Sequence, residues 1–450
     1  MNKKILFLGA GGIGVSALTI AAKKLGAEVS GYDSNPNKIT AKLQQLGIEI
    51  YTSPSKVNVE NFDLIVYSSA ILDNHPLLSN ARRLNIKCLQ RAMFLAELMK
   101  NFNNSIAVTG THGKTTTSSI LATLLCKLEN SSSFVVGGIV KHTNSNIQIN
   151  GSDKLVIEAD ESDASFLYLN PQTAIVTNID LDHMTTYQNS YQNLLSNFAN
   201  FINKDSINKV YICIDDKGCR DLLDKYNLTN KITSYGFSSD ADIQVYDYNV
   251  IRETTNFKVK YKNDILNFNI KLPGKYNVLN ATACIIACLD LGFKYIDIKK
   301  SLSTINGVAR RFDIYNKIIL GHKVTVIDDY GHHPTEIINS INAIRDRYPN
   351  KKLIHIFQPH RYTRNRDLIK EWPKALTLAD KLILLPTYPA GESVINGAES
   401  KDIAKDLSQC ILADSFDHAI YFLEKIVDNN TVVLIQGAGD VTNLVRMLGE

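Results

Sequence analysis

The stretch VTGTHGKTTTSS, from Val108 to Ser119, is the most informative part of the chain for its architecture. An apolar strand, a glycine-containing turn and a helix follow one another here, an order that is typical of a loop that binds phosphate groups. Only Thr111 and His112 separate Gly110 from Gly113, whereas four residues are usual in the common form of this motif. The stretch therefore predicts an α/β domain with a variant phosphate-binding loop.

The residue types in this loop match the needs of a bound ATP molecule. Glycines allow the backbone to approach the phosphates, Lys114 would lie against the β and γ phosphates, and the hydroxyl of Thr115 would bind Mg²⁺. A glycine-rich turn that precedes a lysine by chance is the alternative, but the strand and the helix lie where the motif needs them. The residues that we assign to ATP here are Gly110, Thr111, His112, Gly113, Lys114, Thr115 and Thr116.

Two acidic clusters follow the next predicted strands. KLVIEADESDASF ends its strand at Glu158 and continues with Asp160, Glu161 and Asp163, while TNIDLDHM carries Asp180, Asp182 and His183. Mg²⁺ keeps several water ligands, so one or two carboxylates per ion suffice and the remaining acids would have other roles. A solvated acidic loop is the alternative for each cluster.

A second glycine-rich stretch, FLGAGGIGVSA from Phe7 to Ala17, lies near the start of the chain. Gly9, Gly11 and Gly14 satisfy the pattern G-x-G-x-x-G, and Asp33 ends the second strand about where a ribose-binding acid is expected. This pattern indicates a bound diphosphate without identifying nicotinamide. Considered alone, it favours NAD over a UDP-sugar.

Composition excludes several classes of protein. Of the 450 residues, 49 are Lys or Arg and 45 are Asp or Glu, a balance that does not suggest a nucleic-acid or membrane partner. The seven cysteines form no C-x-x-C pair, which fits a reduced, cytoplasmic setting. The run Ile5–Ala22 imitates a secretory signal, but its glycines suit a strand, a turn and a helix better.

The pattern of strands and helices predicts three α/β domains in series. We expect a Rossmann-like domain over residues 1–101, a central domain of the P-loop ATPase type with a mostly parallel sheet over 102–307, and a Rossmann-like domain over 308–450. The polar segment Asn101–Ser105 marks the first joint, and four buried-strand patterns follow Gly307. Residues 249–272 alternate like antiparallel strands.

Six motifs taken together resemble those of the Mur ligases of bacterial cell-wall synthesis. They are GTHGKTT, EADESDASF, TNIDLDH, GKYNVLNA, DDYGHHPTE and FQPHRYTR, and they extend over essentially the whole chain. The resemblance implies a ligase that joins L-alanine to UDP-N-acetylmuramate through an acyl phosphate at the expense of ATP, with Mg²⁺ as cofactor. It also implies that the first glycine loop holds the UDP-sugar.

The same resemblance implies roles for individual residues. Catalysis would fall to Lys114, Glu158, His183, Asp329 and His332. Thr115 and Glu158 would hold one Mg²⁺ ion, and His183 would help to hold a second. ATP would also contact Asn277, Asn280, Arg310 and Arg311; the UDP-sugar would contact Gly9, Gly11, Gly12, Gly14, Asp33, Ser68 and Ser69; and alanine would contact Tyr330, His360 and Arg364.

Some of these residues have simpler explanations. Asn277 is equally suited to capping a helix, the pair Arg310 and Arg311 to a solvated surface, and His333 to capping the helix that follows Pro334. QGAGD, from Gln436 to Asp440, is a glycine loop that suits either an anion or a plain turn between strand and helix.

Three other functions are open. A ligase that recycles muramyl tripeptide resembles this chain at the phosphate loop, although HRYTR (His360–Arg364) is similar to the motif of the alanine site. An NAD-dependent oxidoreductase would leave the second loop and the acidic clusters without a role, and a nucleotide-gated binding protein would leave HRYTR unexplained. Residue patterns leave open whether the protein is a monomer or a homodimer.

Overall fold

The computed structural model describes residues 3–68, 70–129, 131–229 and 231–449 of the chain. It confirms the predicted α/β class, in which mostly parallel sheets are covered by helices.

The first sheet comes from the N-terminal part of the chain. Its strands are Lys4–Leu8 (β1), Glu28–Tyr32 (β2), Glu49–Tyr51 (β3), Leu64–Tyr67 (β4) and Lys87–Gln90 (β5), and its helices are Ile13–Lys24 (α1), Lys38–Gln45 (α2), Pro76–Arg83 (α3) and Arg91–Met99 (α4). The strands are parallel in the order β3-β2-β1-β4-β5. After Lys4, every side chain of β1 is buried, as expected for a strand that helices cover on both faces.

The second sheet follows in the central part of the chain. Its strands are Asn104–Thr109 (β6), Ser133–Val140 (β7), Ser145–Gln148 (β8), Lys154–Glu158 (β9), Thr173–Val176 (β10), Lys209–Cys213 (β11), Lys231–Gly236 (β12), Ile243–Ile251 (β13), Thr254–Tyr261 (β14) and Asp264–Ile270 (β15). The helices are Lys114–Glu129 (α5), Tyr191–Ile202 (α6), Lys217–Lys225 (α7), Lys275–Asp290 (α8) and Tyr295–Leu302 (α9).

The strand order of this sheet explains where the two acidic clusters lie. The order is β15-β14-β13-β12-β11-β10-β6-β9-β7-β8, so β6 has β10 on one side and β9 on the other, both parallel to it. The phosphate loop leaves the carboxyl end of β6, and the clusters leave the same ends of β9 and β10. The three segments therefore meet at one edge of the sheet, where ligands of open α/β sheets bind.

The third sheet is built from the C-terminal part. Its strands are Asp313–Ile319 (β16), His322–Asp329 (β17), Lys352–Phe357 (β18), Lys381–Leu384 (β19), Cys410–Leu412 (β20) and Thr431–Gln436 (β21). The helices are Pro334–Arg347 (α10), Tyr362–Asp367 (α11), Trp372–Leu376 (α12), Ser400–Ala404 (α13), Phe416–Ile426 (α14) and Thr442–Met447 (α15). The order is β16-β17-β21-β18-β19-β20, with β16 antiparallel to β17 and the other pairs parallel.

The chain divides into two compact units. One holds Met1–Tyr246, Lys258–Phe268 and Leu279–Ile305, and the other holds Asp247–Phe257, Asn269–Val278 and Asn306–Glu450. The predicted boundary at 307 is close to the last change of unit, whereas the predicted boundary at 101 falls inside the first unit. In the described ranges, no helix is both long enough and apolar enough to cross a bilayer.

Candidate active site

The phosphate loop, residues Gly110–Thr116, connects β6 to α5. Gly110 has a φ of +129°, and a Cβ atom there would lie 2.3 Å from Oγ1 of Thr177, so this position needs glycine. Asn178 braces the loop, since the N–H of Thr111 donates to its carbonyl at 3.1 Å and the N–H of His112 donates to its Oδ1 at 2.8 Å. The predicted strand, turn and helix are all present.

Lys114 begins helix α5 and points back across the loop. Its Nζ donates to the carbonyl oxygens of Gly110 at 2.7 Å and Thr111 at 3.0 Å, and it lies 2.6 Å from Oε2 of Glu161. Burial acts to lower the pKa of Lys114, but the negative charges of Glu161 and Asp160 outweigh it and the pKa is raised. Lys114 therefore carries a positive charge beside the carbonyls of the phosphate loop.

Thr115 and Glu158, two of the predicted metal ligands, lie together. The Thr115 hydroxyl donates to Oε1 of Glu158 at 2.8 Å, and the N–H of Gly137 in β7 donates to Oε2 at 2.7 Å. A Cβ atom at Gly137 would lie only 2.7 Å from Oε1. A hydroxyl and a carboxylate oxygen form a hard donor set, which fits Mg²⁺.

His183, the third predicted ligand, follows β10. Its N–H donates to Oδ1 of Asp182 at 2.8 Å, and its Nε2 lies 3.5 Å from Oδ2 of the same residue. The turn Met184–Tyr187 comes next, and the hydroxyl of Thr186 donates to the carbonyl of Ser162 at 2.7 Å. The histidine thus lies on a turn that is attached to the loop after β9, and its role at a metal stays a prediction.

The remaining acids of the two clusters have other contacts, as the sequence suggested. Oδ2 of Asp180 lies 3.0 Å from Nε2 of His112 in the phosphate loop. Asp160 lies 3.9 Å from Nη2 of Arg91, which belongs to α4. Asp163 accepts a hydrogen bond from a backbone N–H of its own loop. These side chains fix the loops around the lysine.

Helix α8 carries the two predicted adenine contacts. A Cβ atom at Gly113 would lie 3.1 Å from Oδ1 of Asn280, so this amide is next to the phosphate loop. The Nδ2 of Asn277 donates to the carbonyl of Pro273 at 2.7 Å. Because α8 begins at Lys275, Asn277 lies inside the helix rather than at its cap. Contact of either amide with adenine stays a prediction.

Asp33 braces the first glycine loop. Its Oδ2 accepts from the N–H of Gly11 at 2.7 Å and its Oδ1 accepts from the N–H of Asn35 at 3.0 Å. Asn37 donates from Nδ2 to the carbonyl of Gly11 at 3.1 Å. The Asp33 carboxylate therefore stabilises this conformation of the loop. To contact a ribose, it would have to release one of these two N–H groups.

The turn between β1 and α1 has the predicted form. Gly9 donates its N–H to the carbonyl of Tyr32 at 2.8 Å, and Gly12 is the cap residue of α1. Ser68 lies against this turn, since a Cβ atom at Gly9 would be 3.1 Å from the Cβ of Ser68. Ser69, also predicted to contact the UDP-sugar, lies outside the described residues.

A cavity of about 190 Å³ connects the first loop to the central sheet. Gly14, Arg91, Gly137, Glu158 and Asp160 are among the residues that line it. A Cβ atom at Gly14 would lie 2.7 Å from Nη1 of Arg91, so the guanidinium rests on the glycine of the first loop. The predicted UDP-sugar loop and the predicted metal carboxylate therefore border the same space, with room for an ion and its waters.

In the second unit, Tyr330 lies close to two arginines. The guanidinium carbon of Arg310 is 5.1 Å from the centre of its ring and that of Arg311 is 4.8 Å. Nη2 of Arg310 also donates to the carbonyls of Gly437 at 2.8 Å and Gly439 at 3.2 Å. The arginine pair is not a solvated surface, because it positions the tyrosine and the last glycine loop.

His360 lies among aromatic and positively charged groups. Its ring stacks on that of Tyr388, with centres 5.5 Å apart and planes 5° apart. Nη1 of Arg364 donates to the His360 carbonyl at 3.3 Å. Burial, and then the positive charges of Arg364 and Arg361, lower the pKa of His360 to about 4. The imidazole is neutral at pH 7 and presents a hydrogen-bond acceptor.

His332 connects these two groups. Its ring centre is 5.5 Å from that of Tyr330 and 5.8 Å from that of His360. Nδ1 lies 3.2 Å from the carbonyl of Tyr330, and the His332 N–H donates to Oε2 of Glu336 at 2.8 Å. The predicted alanine-site residues Tyr330 and His360 are thus joined through His332.

Asp329 is a buried acceptor. Oδ1 accepts from the N–H of Phe312 at 3.1 Å, and Oδ2 accepts from Ser340 Oγ at 2.9 Å, Gln436 Nε2 at 2.7 Å and the Gly331 N–H at 3.3 Å. Burial raises its pKa, while Arg311 and these donors oppose that shift. A carboxylate that already accepts from four donors is poorly placed to take a further proton.

One of the simpler explanations is confirmed by the structure. His333 caps α10, since its Nδ1 accepts from the N–H of Thr335 at 3.3 Å and Glu336 accepts in return from the His333 N–H at 3.2 Å. The QGAGD segment connects β21 to α15, and the carbonyls of Gly437 and Gly439 accept from Arg310. Binding of an anion by this segment stays a prediction.

Sequence reasoning missed several residues of the site. Asn178, Gly137, Arg91 and Tyr388 were not singled out, and Glu161 was counted only as a member of an acidic cluster. Their partners lie far away in the chain, so no local spacing marks them. Gly137 gave no usable signal either, because the pair of adjacent glycines hides the strand that carries it.

Models of three Mur ligase domains match this chain. The model of the Mur ligase family catalytic domain matches residues 4–103, that of the Mur ligase middle domain matches 108–288, and that of the Mur ligase glutamate ligase domain matches 310–439. A UDP-N-acetylmuramate–L-alanine ligase of Francisella tularensis subsp. novicida is 72% identical over the full length of both chains. One from Francisella philomiragia is 68% identical, again over both full lengths.

Two solved structures are similar to this chain over nearly its whole length. The crystal structure of the UDP-N-acetylmuramate–alanine ligase MurC from Thermotoga maritima has a TM-score of 0.81 at 29% identity and covers 99% of this chain and 98% of its own. A murein peptide ligase from Psychrobacter arcticus has a TM-score of 0.71 at 21% identity over 99% of this chain and 98% of its own, which shows the fold alone. With family models matched along its length and full-length relatives of this identity, the chain belongs to the Mur ligase family.

Proposed function

We propose that this protein joins L-alanine to the lactyl carboxylate of UDP-N-acetylmuramate, with conversion of ATP to ADP and phosphate. The relatives of 68–72% identity carry this activity in their names. The observation that carries the proposal is that Gly14, from the glycine loop assigned to the sugar, and Glu158, the carboxylate assigned to the metal, line the same cavity. We further propose residues 1–101, 102–307 and 308–450 as the UDP-sugar, ATP and alanine domains, and the cytoplasm as the location.

The first chemical step makes the carboxylate reactive. A carboxylate oxygen attacks the γ-phosphorus of ATP, the bond to the bridging oxygen breaks, and ADP leaves with those electrons. Lys114 is placed to neutralise the charge on the transferring group, since its ammonium lies at the mouth of the loop. Thr115 and Glu158 would hold Mg²⁺, which when bound supplies a Lewis acid for the phosphate oxygens.

The second step forms the amide bond. The alanine amine attacks the carbonyl carbon of the acyl phosphate, and inorganic phosphate leaves. Arg364 pairs with the alanine carboxylate, and Tyr330 and the neutral imidazole of His360 shape the pocket. His332 accepts the proton that the ammonium group must lose before it attacks, because Asp329 already accepts from four donors.

Phosphate release tests the proposal. We expect release only when UDP-N-acetylmuramate, ATP and L-alanine are all present, and much less when the free tripeptide L-alanyl-γ-D-glutamyl-meso-diaminopimelate replaces alanine. Preferential use of the tripeptide would instead identify a recycling ligase. A shift of the melting temperature by NADH, with no effect of L-alanine on phosphate release, would contradict the proposal.

A further inference from the structure

The contact between Lys114 and Glu161 has no role in the reaction described above. A lysine ammonium group has three N–H donors. Here Nζ donates to the carbonyls of Gly110 and Thr111 at 2.7 and 3.0 Å, and Oε2 of Glu161 forms an ion pair with it at 2.6 Å. A phosphate oxygen that binds this ammonium must compete with these three oxygens for it.

The position of Glu161 is built by the fold. Its side chain is 3% exposed, and its backbone carbonyl accepts from the N–H of Ala164 at 3.0 Å. The hydroxyl of Tyr187, from the turn after β10, donates to the same carbonyl. The contact with Lys114 therefore joins helix α5 to the loop after β9, and that loop is fixed in turn by the turn after β10.

Of the three oxygens around the Lys114 ammonium, that of Glu161 is the one that resembles a phosphate oxygen. The carbonyls of Gly110 and Thr111 belong to the loop itself, whereas Glu161 brings a negative oxygen from another segment to the ammonium. A phosphate oxygen has the same charge sign and the same preference for an ammonium donor.

We propose that Glu161 is an internal counter-ion that takes the place of a phosphate oxygen on Lys114 until the nucleotide displaces it. The proposal rests on the proposed binding of ATP at this loop. Glu161 is thus a positioning residue: it keeps the buried ammonium paired in the free enzyme and competes with the triphosphate for it. Displacement leaves a buried carboxylate without its partner, and this cost reduces the affinity for nucleotide.

The surroundings of Glu161 predict how this cost varies with pH. The charged and titratable groups that face it or its loop are Lys114, Arg91, Glu158, Asp160, Asp163 and Tyr187. Burial raises the pKa of Glu161 to about 7, even though Lys114 opposes the shift. A protonated Glu161 no longer competes for the ammonium, so the competition is strong at alkaline pH and weak below neutrality.

Glu161→Gln tests the proposal, because glutamine keeps the size and an acceptor oxygen but removes the charge. Calorimetric titration with Mg²⁺ and a non-hydrolysable ATP analogue should give a dissociation constant roughly three- to tenfold lower than in the wild type at about pH 8, and nearly equal constants at about pH 6. The KM for ATP should fall in the same direction. A purely structural role would not produce this pH-dependent difference.

Two further variants make the result decisive. Glu97→Gln removes an exposed charge that pairs with Lys100 at 2.9 Å, and it should bind the analogue as the wild type does. Tyr187→Phe releases the carbonyl of Glu161 and should tighten binding by a smaller factor, so the proposal stays testable even if Glu161→Gln folds poorly. Weaker binding in Glu161→Gln, or an unchanged constant at both pH values, would overturn the proposal while leaving the ligase function intact. Absence of analogue binding to the wild-type enzyme would overturn both.

Discussion

Lys114 is the residue whose loss should affect turnover most. We expect Lys114→Ala to reduce phosphate release by roughly 10²- to 10³-fold, because its ammonium group, held against the loop by the carbonyls of Gly110 and Thr111, is the charge that the proposed mechanism assigns to the transferring phosphoryl group. Binding of UDP-N-acetylmuramate, measured by calorimetry, should stay near the wild-type value, since that ligand is assigned to the first loop.

Lys100→Ala is the matched control, since Lys100 is an exposed lysine paired with Glu97 at 2.9 Å. It should keep full phosphate release. Near-normal turnover in Lys114→Ala would show that the loop does not hold the γ-phosphate.

Arg364 tests the alanine pocket. Its side chain is buried and its Nη1 is fixed by the carbonyl of His360, so its fork of donors is held in one orientation. Lysine cannot present two parallel donors to a carboxylate. Arg364→Lys should therefore raise the KM for L-alanine by roughly tenfold or more while the KM for ATP changes little. An equal rise of both constants would indicate general damage instead of a lost alanine contact.

The sequence predicted individual site residues well where motifs follow strands that are neighbours in the sheet. Thr115 and Glu158 were expected together, and they lie 2.8 Å apart, because the loop after β6 and the end of β9 are neighbours in the sheet. The four donors to Asp329 were not predictable, since Gln436 and Ser340 reach it from other elements. The pairing of Lys114 with Glu161, one of several acids in its cluster, depends on how a turn directs each side chain.

Strands were predicted best where they are buried on both faces. KILFL, KLVIE and TVVLIQ are continuous apolar runs, and they form β1, β9 and β21. The hairpin of β7 and β8 was not predicted, because β7 contains Gly137 and Gly138 and β8 is polar. That hairpin supplies the N–H group that holds Glu158, so the missed element is part of the site.

The β7 hairpin therefore has a testable role. A Cβ atom at Gly137 would lie 2.7 Å from Oε1 of Glu158, and Gly137→Ala must displace that carboxylate. We expect turnover to fall by roughly tenfold or more and the concentration of Mg²⁺ that gives half-maximal rate to rise.

Gly151→Ala is a suitable comparison for this variant. Gly151 has a φ of +72° with open space around it, so alanine there strains the backbone without meeting another group. It should lower stability by about 1 kcal/mol and leave the Mg²⁺ dependence unchanged. Loss of activity in Gly151→Ala, or normal activity in Gly137→Ala, would contradict the role given to the hairpin.

The architecture of the molecule was predictable because each sheet follows the same rule. Apolar strands alternate with helices, and the loops at the carboxyl ends of the strands carry the polar motifs. The polar joint predicted at 101–105 lies where the match to one Mur ligase domain ends, at 103, and before the next begins, at 108. The first and central sheets still form one compact unit, because buried side chains such as Leu95, Val135 and Phe166 belong to one continuous core.

The stability of the protein in acid should depend on one buried histidine. His355 lies in β18, between β21 and β19, with no exposed surface. Burial lowers its pKa to about 3, with Gln436 partly opposing the shift. In the unfolded chain a histidine has a pKa of about 6.5. Below that pH the unfolded state therefore binds a proton that the native state does not bind.

Because of this difference, the free energy of unfolding decreases as the pH falls below about 6.5. For a group whose pKa is depressed in the folded state, stability is fully present above the unfolded pKa and is lost below it, by up to about 1.4 kcal/mol per pH unit. His355→Leu, of similar volume, should therefore lose less stability than the wild type between about pH 7 and about pH 5 in urea titrations. Equal slopes for His355→Leu and the wild type would mean that protonation of this histidine does not drive acid unfolding.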